Sequence, residues 1–200
     1  AWTGGGPQAA CGTCHDTPPP SPHVQNAACG SCHPGYGAGV DKARHVNGQV
    51  ELEGLTCATC HGDPDRPDTD LNPHLSAAPP VDTTGSSDPA SPGVGAHQAH
   101  LQDGALRAAL PCTSCHAVPT STTHANGVPD FSWSALATGG GATSPTYAGG
   151  SCSATYCHGA TLGAGGTNHA PAWTGGGPQA ACGTCHATPP PPETGHTQST

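Results

Sequence analysis

The sequence predicts a fold of irregular loops with a few short helices and little or no sheet. Leu, Ile, Val and Phe together make up 18 of the 200 residues, too few for an ordinary hydrophobic core. Glycine and proline contribute 30 and 23 residues, and both disfavour regular helix and strand. On these side chains alone the chain would be disordered. It also has twelve cysteines, so we expect covalent links to supply the missing cohesion.

All twelve cysteines fall into six motifs in which a histidine directly follows the second cysteine. Five motifs have the spacing CxxCH, and the fifth in chain order has the wider spacing CxxxxCH. In chain order the cysteines and motif histidines are Cys11, Cys14 and His15; Cys29, Cys32 and His33; Cys57, Cys60 and His61; Cys112, Cys115 and His116; Cys152, Cys157 and His158; and Cys182, Cys185 and His186.

Three interpretations of these cysteine pairs were compared: zinc sites, a disulfide framework and haem attachment. Zinc sites use paired CxxC knuckles, and a disulfide framework places no demand on the next residue. Neither explains a histidine after the second cysteine in six cases out of six. In a c-type haem motif the two thiols form thioethers with the porphyrin, and the histidine is the proximal iron ligand. The sequence therefore predicts six covalently bound haem c groups, with the loops and short helices wrapped around a haem stack.

Local patterns refine this prediction. We expect short helical turns to carry each CxxCH, so that the two thiols and the histidine lie on one side. A longer helix is predicted over residues 96–110, with a proline just beyond its end. Seven prolines between residues 62 and 95 predict a long irregular loop, and residues 17–22 and 189–192 predict polyproline spacers.

An internal repeat sets the predicted domain organisation. Residues 1–15 and 172–186 are identical, and the similarity continues until His23 aligns with His196 after a two-residue insertion. Such identity predicts a tandem unit. We divide the chain into a five-haem repeat unit at 1–171 and the start of the next unit at 172–200, which carries the sixth haem. Either the sequence is a window onto a longer array, or its end resembles its beginning, which would suit head-to-tail assembly.

Eight histidines outside the motifs are candidates for the sixth ligand of each iron. Methionine is absent, so bis-histidine ligation is the economical interpretation. Three contexts select the candidates: a shared H-x-N-G pattern, equivalence under the repeat, and a spacing of three on the predicted helix. The predicted distal ligands are, in that order, His45 and His124, His23 and His196, and His97 and His100. His74 and His169 are surplus and are expected at the surface. Spacing does not say which distal histidine serves which haem.

The charge of the chain limits its partners. The chain has four basic and 13 acidic residues, which gives a formal net charge of −9. Because each haem adds two propionates, most of these must be solvated, bound by N–H or hydroxyl groups, or bridged by metal ions such as calcium. No basic patch is available for nucleic acid, and no apolar run approaches the length of a membrane span.

The run CSATYCHGATLGAGGTNHAPAWTGGGPQAACGTCH, residues 152–186, couples a CxxxxCH to a CxxCH through a W-T-G-G segment. It resembles the CxxxxCH/CxxCH-repeat multihaem c-type cytochromes of Geobacter-like metal-reducing bacteria. The stretches PHVQNAACGSCHPGY, GAHQAHL and THANG fit the same pattern, so the resemblance covers nearly the whole chain. Related proteins polymerise into extracellular cytochrome filaments, often called nanowires. The resemblance implies closely packed bis-histidine haems that pass electrons to other cytochromes and to external acceptors such as metal oxides.

The predicted function is long-range electron transfer, and the protein is not expected to be an enzyme. Six-coordinate haems leave no open site for a substrate. A soluble periplasmic shuttle is one alternative. A multihaem reductase is another, but it needs a haem with an open axial position, and free histidines outnumber the predicted irons. Haem attachment of this kind belongs to an exported compartment, so we expect that a leader was removed and that the protein reaches the cell surface or exterior through the periplasm.

Overall fold

A computed structural model describes residues 12–20, 23–25, 27–36, 39–45, 47–52, 54–105, 107–121, 124–141, 144–159 and 165–187. Most of these residues lie in turns, bends and irregular loops. Helix α1 spans Lys42–His45 and helix α2 spans His97–Leu101. Strands β1, Thr146–Ala148, and β2, Ser151–Ser153, form a two-stranded antiparallel sheet. Turns of 3₁₀ helix cover Cys29–Ser31, Leu75–Ala77, Cys112–Ser114 and Gly177–Ala180. The prediction of irregular loops with few short helices and little sheet is confirmed.

The described residues fall into two compact units. The first contains those within 1–69, 73–87 and 121–128, and the second contains those within 70–72, 88–120 and 129–200. The predicted repeat boundary after residue 171 lies inside the second unit. The division into units at 1–171 and 172–200 stays a prediction. No helix in the described ranges is long and apolar enough to cross a membrane.

Apolar packing contributes little to either unit. Among the described residues, the buried hydrophobic side chains are Val94 and Ala137, which are 1% and 8% exposed. The buried polar side chains are more numerous: Asn72, Asp82, Ser114 and Thr155. The side chains of Asn72, Asp82 and Thr155 form hydrogen bonds with other groups of the chain. Because buried polar groups need such partners, hydrogen bonds hold these loops where an ordinary domain would use a core.

The proline-rich segment is irregular, as predicted, and one arginine organises it. The Arg66 guanidinium donates hydrogen bonds to three backbone carbonyls of the facing turn, those of Leu75, Ala78 and Pro79. The backbone N–H of Asp63 donates to the carbonyl of Ser76 over 2.7 Å. At Gly62, φ is +91°, and a Cβ there would lie 2.2 Å from the same Ser76 oxygen, so the close approach requires glycine.

The predicted helix over residues 96–110 is wrong beyond Leu101, where α2 ends. In a longer helix the carbonyl of His100 would accept from the N–H of Gly104. Instead it accepts from the backbone N–H of Leu110 at 2.9 Å and from Arg107 Nη1 at 3.0 Å. Gly104 donates to the carbonyl of Arg107, which closes a turn. The returning segment therefore takes the bond that would have continued the helix.

The β-hairpin presents the first cysteine of the wide motif. Gly149 and Gly150 join β1 to β2 with φ of +57° and +77°, which a two-residue hairpin turn with two left-handed residues requires. In the resulting register Tyr147 lies opposite Cys152. The hairpin thus fixes Cys152 on a strand, whereas the described cysteines of the other motifs lie in 3₁₀ helices, turns and bends.

Replacement of Asn72 with alanine should lower the free energy of unfolding by about 1–3 kcal/mol, the cost of leaving buried polar groups unsatisfied. Asn72 is 2% exposed, accepts from the N–H of Cys112 at 2.7 Å and donates to the carbonyl of Leu110 at 3.1 Å. Thermal or denaturant unfolding measures the loss. The exposed Asn126→Ala variant is the control, and equal losses in both would contradict this role.

Candidate functional site

Ten of the described histidines lie ring to ring in five pairs, and each pair joins one motif histidine to one predicted distal histidine. The ring centres are 6.1–6.5 Å apart. The pairs are His15 with His45 at 6.4 Å, His33 with His23 at 6.1 Å, His61 with His124 at 6.3 Å, His116 with His97 at 6.5 Å, and His158 with His100 at 6.2 Å.

This spacing fits one metal ion held between two imidazole nitrogens. Such a metal places the ring centres about 6.3 Å apart, because each bond is about 2.0–2.1 Å long and each nitrogen lies about 1.1 Å from its ring centre. The donors come in twos, whereas a structural zinc ion takes four protein ligands. Two axial nitrogens suit an iron whose other four ligands come from a porphyrin. The residues therefore fit haem.

Backbone hydrogen bonds orient the imidazoles. In eight described histidines, both motif and distal, Nδ1 lies 2.5–3.0 Å from a backbone carbonyl oxygen; these are His15, His23, His33, His61, His97, His100, His124 and His186. A carbonyl can only accept, so Nδ1 carries the proton. The lone pair on Nε2 is then available to a metal, the arrangement typical of metal-bound histidine.

Burial keeps two of the paired imidazoles neutral. It lowers the pKa of His97 to about 4 and the pKa of His158 to about 4. Both rings therefore carry no charge at neutral pH, and a neutral imidazole is the form that binds a metal. Burial also raises the pKa of the Cys152 thiol to about 11, so this thiol is protonated in the absence of haem.

Helix α2 serves two sites at once. His97 and His100 lie three residues apart and therefore share one helix face. Their Nδ1 atoms lie 2.9 Å and 2.8 Å from the carbonyls of Val94 and Ala96, inside the same turn. One ring lies against the motif histidine of Cys112–His116 and the other against that of Cys152–His158. The short helix thus sets two neighbouring sites one helical turn apart.

Motifs that follow one another in the chain also lie close in space within each unit. Burial raises the pKa of Cys60, and the charge of Cys32 in the preceding motif adds to the effect. Burial also raises the pKa of Cys115, with the charge of Cys157 as the second cause. The pKa of Cys157 is raised by burial too, and Cys185 of the next motif contributes.

Local structure explains how the motifs bend. In the motifs that begin at Cys29 and Cys112, a 3₁₀ turn brings the histidine N–H to the carbonyl of the first cysteine, at 2.9 Å and 3.4 Å. Helical turns are thus confirmed in these two motifs and are wrong for the described parts of the other CxxCH copies, which form turns and bends. Near Cys57 the Thr59 hydroxyl accepts the N–H of Thr56, a side-chain bond that competes with helix.

The two additional residues of the CxxxxCH motif are accommodated in a bend that begins at Ala154. Ala154 has φ of +54°, a left-handed conformation that is rare outside glycine. Beyond it the buried Thr155 closes the loop: its N–H donates to the carbonyl of His158, and its hydroxyl accepts the N–H of His158, both at 2.8 Å. Cys152, Cys157 and His158 can therefore act as one motif despite the wider spacing.

The two H-x-N-G segments form the same turn. After His45, the Asn47 side chain accepts the N–H of Gln49 at 2.8 Å; after His124, the Asn126 side chain accepts the N–H of Val128 at 3.0 Å. The glycines have φ of +79° and +77°. The shared sequence pattern thus corresponds to a shared local structure next to two distal histidines.

Three described histidines belong to none of the five pairs, and two further predicted positions lie outside the described residues. Cys11 and His196 lie outside the described residues, and His186 has no ring contact with another described histidine. His74 and His169, the surplus histidines, make no ring contact with a motif histidine among the described residues. Ligation by the twelve named histidines and attachment by the twelve cysteines stay predictions.

Sequence reasoning missed two aromatic residues, each of which touches imidazoles of two pairs. Trp173 contacts His97 and His100, and Tyr36 contacts His33 and His45. A signal was available for Trp173, because the repeated segment AWTGGGPQAACGTCH contains it. For Tyr36 the available signal was its position three residues after a motif histidine.

The three arginines are already engaged within the protein. Arg44 Nε lies 3.6 Å from the Asp41 carboxylate, and the Arg66 and Arg107 guanidinium groups donate to backbone carbonyls. These cations are therefore poorly placed to pair with the propionates of several haems. The propionates must depend on solvent, polar groups or added cations.

Comparison with known families agrees with these motifs. Residues 151–186 match the family described as the Geobacter CxxxxCH...CXXCH motif. No significant match was found among curated proteins or among solved structures. Together with the other cysteine–histidine motifs, the family match supports a multihaem c-type cytochrome. Its cofactor is covalently bound c-type haem, and its class of function is electron transfer.

The ring planes of the pairs predict the ferric EPR spectrum of the haem-loaded protein. His23 and His33 are inclined by 14°, whereas the other four pairs are inclined by 61–86°. Crossed imidazole planes increase the anisotropy of a low-spin ferric haem, since axial ligands set its electronic structure. We expect one ordinary rhombic signal and four signals with a larger maximum g value from these pairs. A spectrum made only of rhombic signals would contradict the geometry.

Proposed function

We propose that this chain conducts electrons through a series of six bis-histidine haem c groups, as a repeat or subunit of an extracellular cytochrome filament. One observation carries the proposal: every described histidine pair combines one motif histidine with one distal histidine at the spacing of a shared metal. A chain that left these axial positions open would not need a distal partner for five of its motifs.

When bound, haem supplies an iron that alternates between the ferrous and ferric states. The paired histidines of this protein would hold that iron with the same two imidazoles in both oxidation states. The Nδ1 hydrogen bonds of His33, to the carbonyl of Glu51, and of His61, to that of Ala77, keep each ring in place. Little rearrangement is then needed, which favours fast transfer between sites.

The order of the sites supports conduction rather than isolated redox centres. Within each unit, thiols of successive motifs lie close enough for their charges to interact. In the second unit, α2 supplies distal ligands to two successive motifs from positions three residues apart. Neighbouring haems would therefore follow the chain order with short steps between them.

The repeat and the family resemblance support the extracellular filament. A second copy of the first 15 residues, beginning at residue 172, lets the pattern of sites continue into a further unit. The expected partners are other copies of the chain, other cytochromes and external acceptors such as metal oxides. The main alternative is a soluble periplasmic shuttle, which would use the same haems without assembly.

A reductase is the less favoured alternative, because its substrate would need an open iron. We expect no enzymatic activity if both axial positions of every haem are filled. A high-spin ferric signal from the unmodified protein would favour the reductase over the conduit.

Replacement of His124 with alanine tests the ligand assignment. The substitution removes the partner of His61, so one of the six haems should change from low spin to high spin while the other five stay low spin. EPR and optical spectra of the ferric protein measure the change. His74→Ala is the matched control, since His74 is also exposed but has no motif histidine against its ring.

Intact mass under denaturing conditions should give the same haem count for wild type and both variants, because thioether attachment does not use the distal ligand. If His124→Ala stays fully low spin, or if His74→Ala produces the high-spin haem, the assignment is wrong. A wild-type haem count below six would weaken the continuous conduit.

Assembly into filaments should depend on ionic strength. The formal charge of −9, with propionates added, makes copies of the chain repel one another. Raising salt from 0.01 M to 0.15 M shortens the screening length from about 30 Å to about 8 Å, so the assembled fraction should increase. Light scattering and electron microscopy measure it, with calcium against sodium at equal ionic strength as a test of propionate bridging. A small monodisperse species at high concentration under all these conditions would contradict the filament and favour the shuttle.

A further inference from the structure

The indole of Trp173 lies against the distal imidazoles of two neighbouring sites. Its ring centre is 4.8 Å from that of His97, at 86°, and 5.9 Å from that of His100, at 27°. One face of the indole therefore lies along one ligand, and the other ligand meets the indole edge to face. Contacts of both kinds favour particular ring orientations.

The indole is itself held at several points. Its Nε1–H donates to the carbonyl of Pro92 at 2.8 Å, and its backbone N–H donates to the carbonyl of Gly150 at 2.7 Å. Tyr147 of β1 lies against it at 6.4 Å and 83°. On another side Gly95, with φ of +45°, leaves the space that the indole fills, since a Cβ there would lie 1.9 Å from Nε1. A ring held this firmly can fix the rings that it touches.

The first unit has a similar arrangement. The phenol ring of Tyr36 lies 6.1 Å from the ring of His33 and 5.9 Å from that of His45, at 68° and 69°. These two histidines belong to different pairs. An aromatic ring between ligands of two adjacent sites thus occurs in both units, on unrelated local sequences.

We propose that Trp173 is a positioning residue that fixes the imidazole planes of two neighbouring haem sites together, and that Tyr36 has the same role in the first unit. The inference rests on the proposed bis-histidine ligation. An imidazole bound to a metal through Nε2 can still turn about that bond, and the Nδ1 hydrogen bond restrains it on one edge. The indole restrains the plane of the ring from the side, for His97 and His100 at once.

The position of Trp173 in the sequence relates it to the internal repeat. It lies in the segment that repeats residues 1–15, and therefore in the predicted start of the next repeat unit. Ligands of one repeat would be oriented by the first residues of the following repeat. The junction between two repeats would then determine the ligand orientation at the two sites whose distal histidines, His97 and His100, lie on α2.

The test is ferric EPR on the haem-loaded full chain for wild type, Trp173→Ala, Trp173→Phe and Trp133→Ala. In Trp173→Ala, two of the signals with large maximum g should shift or broaden together, and the rhombic signal assigned to the His23–His33 pair should not change. Trp173→Phe retains a ring and should restore most of both signals. Trp133→Ala is the control, because Trp133 stacks on Phe131 at 5.2 Å and touches no described histidine ring.

A second pair of variants displaces the indole without removing it. Gly95→Ala places a methyl group in the space of the indole and should reproduce the paired shift. Gly54→Ala also puts alanine at a positive φ, +67°, but nothing lies within 4 Å of the new Cβ, so both signals should stay unchanged. This pair keeps the proposal testable if Trp173→Ala fails to fold.

Unchanged signals in Trp173→Ala or Gly95→Ala at full haem content, or a change in one signal alone, would overturn the shared positioning. So would equal changes in Trp133→Ala. These outcomes differ from failure of the proposed function, which would appear as high-spin haems in the wild-type spectrum before any substitution.

Discussion

The pairing of motif histidines with distal histidines, which we propose as axial ligation of haem iron, is the arrangement on which the rest of this structure depends. The described residues bury two hydrophobic side chains, Val94 and Ala137, and hydrogen bonds hold the buried polar side chains of Asn72, Asp82 and Thr155. Hydrogen bonds of this kind contribute little net stability, because the unfolded chain forms equivalent bonds with water. Under this proposal, a metal between two histidines far apart in sequence would close a long loop, as a disulfide does, and the thioethers to the same haem would restrict the chain further.

This constraint explains why local structure is so irregular. A segment that must place two thiols and an imidazole around one macrocycle has few residues left with which to form a regular element. At the CxxxxCH motif, Ala154 adopts a left-handed conformation and the hydroxyl of the buried Thr155 accepts the N–H of His158, which together shape the loop. Between residues 62 and 95, the Arg66 side chain donates to backbone carbonyls that would otherwise be paired in a helix or a sheet.

The features that could be predicted from the sequence are those that a short stretch of residues determines by itself. The motif spacing is a covalent requirement, so the motif histidines could be named from it, and the H-x-N-G pattern led to His45 and His124 because it encodes a local turn. Pairing could not be predicted, since His61 meets His124 only after the chain has passed through the second unit and returned. The predicted extent of α2 was wrong for a related reason: the carbonyl of His100 accepts the backbone N–H of Leu110, a contact that helix propensity does not predict.

Within each unit, one aromatic ring contacts imidazoles of two histidine pairs and so connects two neighbouring sites. In a chain with almost no core, a site cannot rely on general packing to fix the planes of its ligands. A single rigid side chain shared by two sites is then more economical than a separate packing shell for each. The indole is well suited, because it combines a large apolar face with one N–H that can be anchored, here on Pro92. A shared side chain also makes the two sites dependent on each other, because any displacement of Trp173 affects both. For a conduit that cost is small, because an electron that enters one of two adjacent haems must in any case pass to the other.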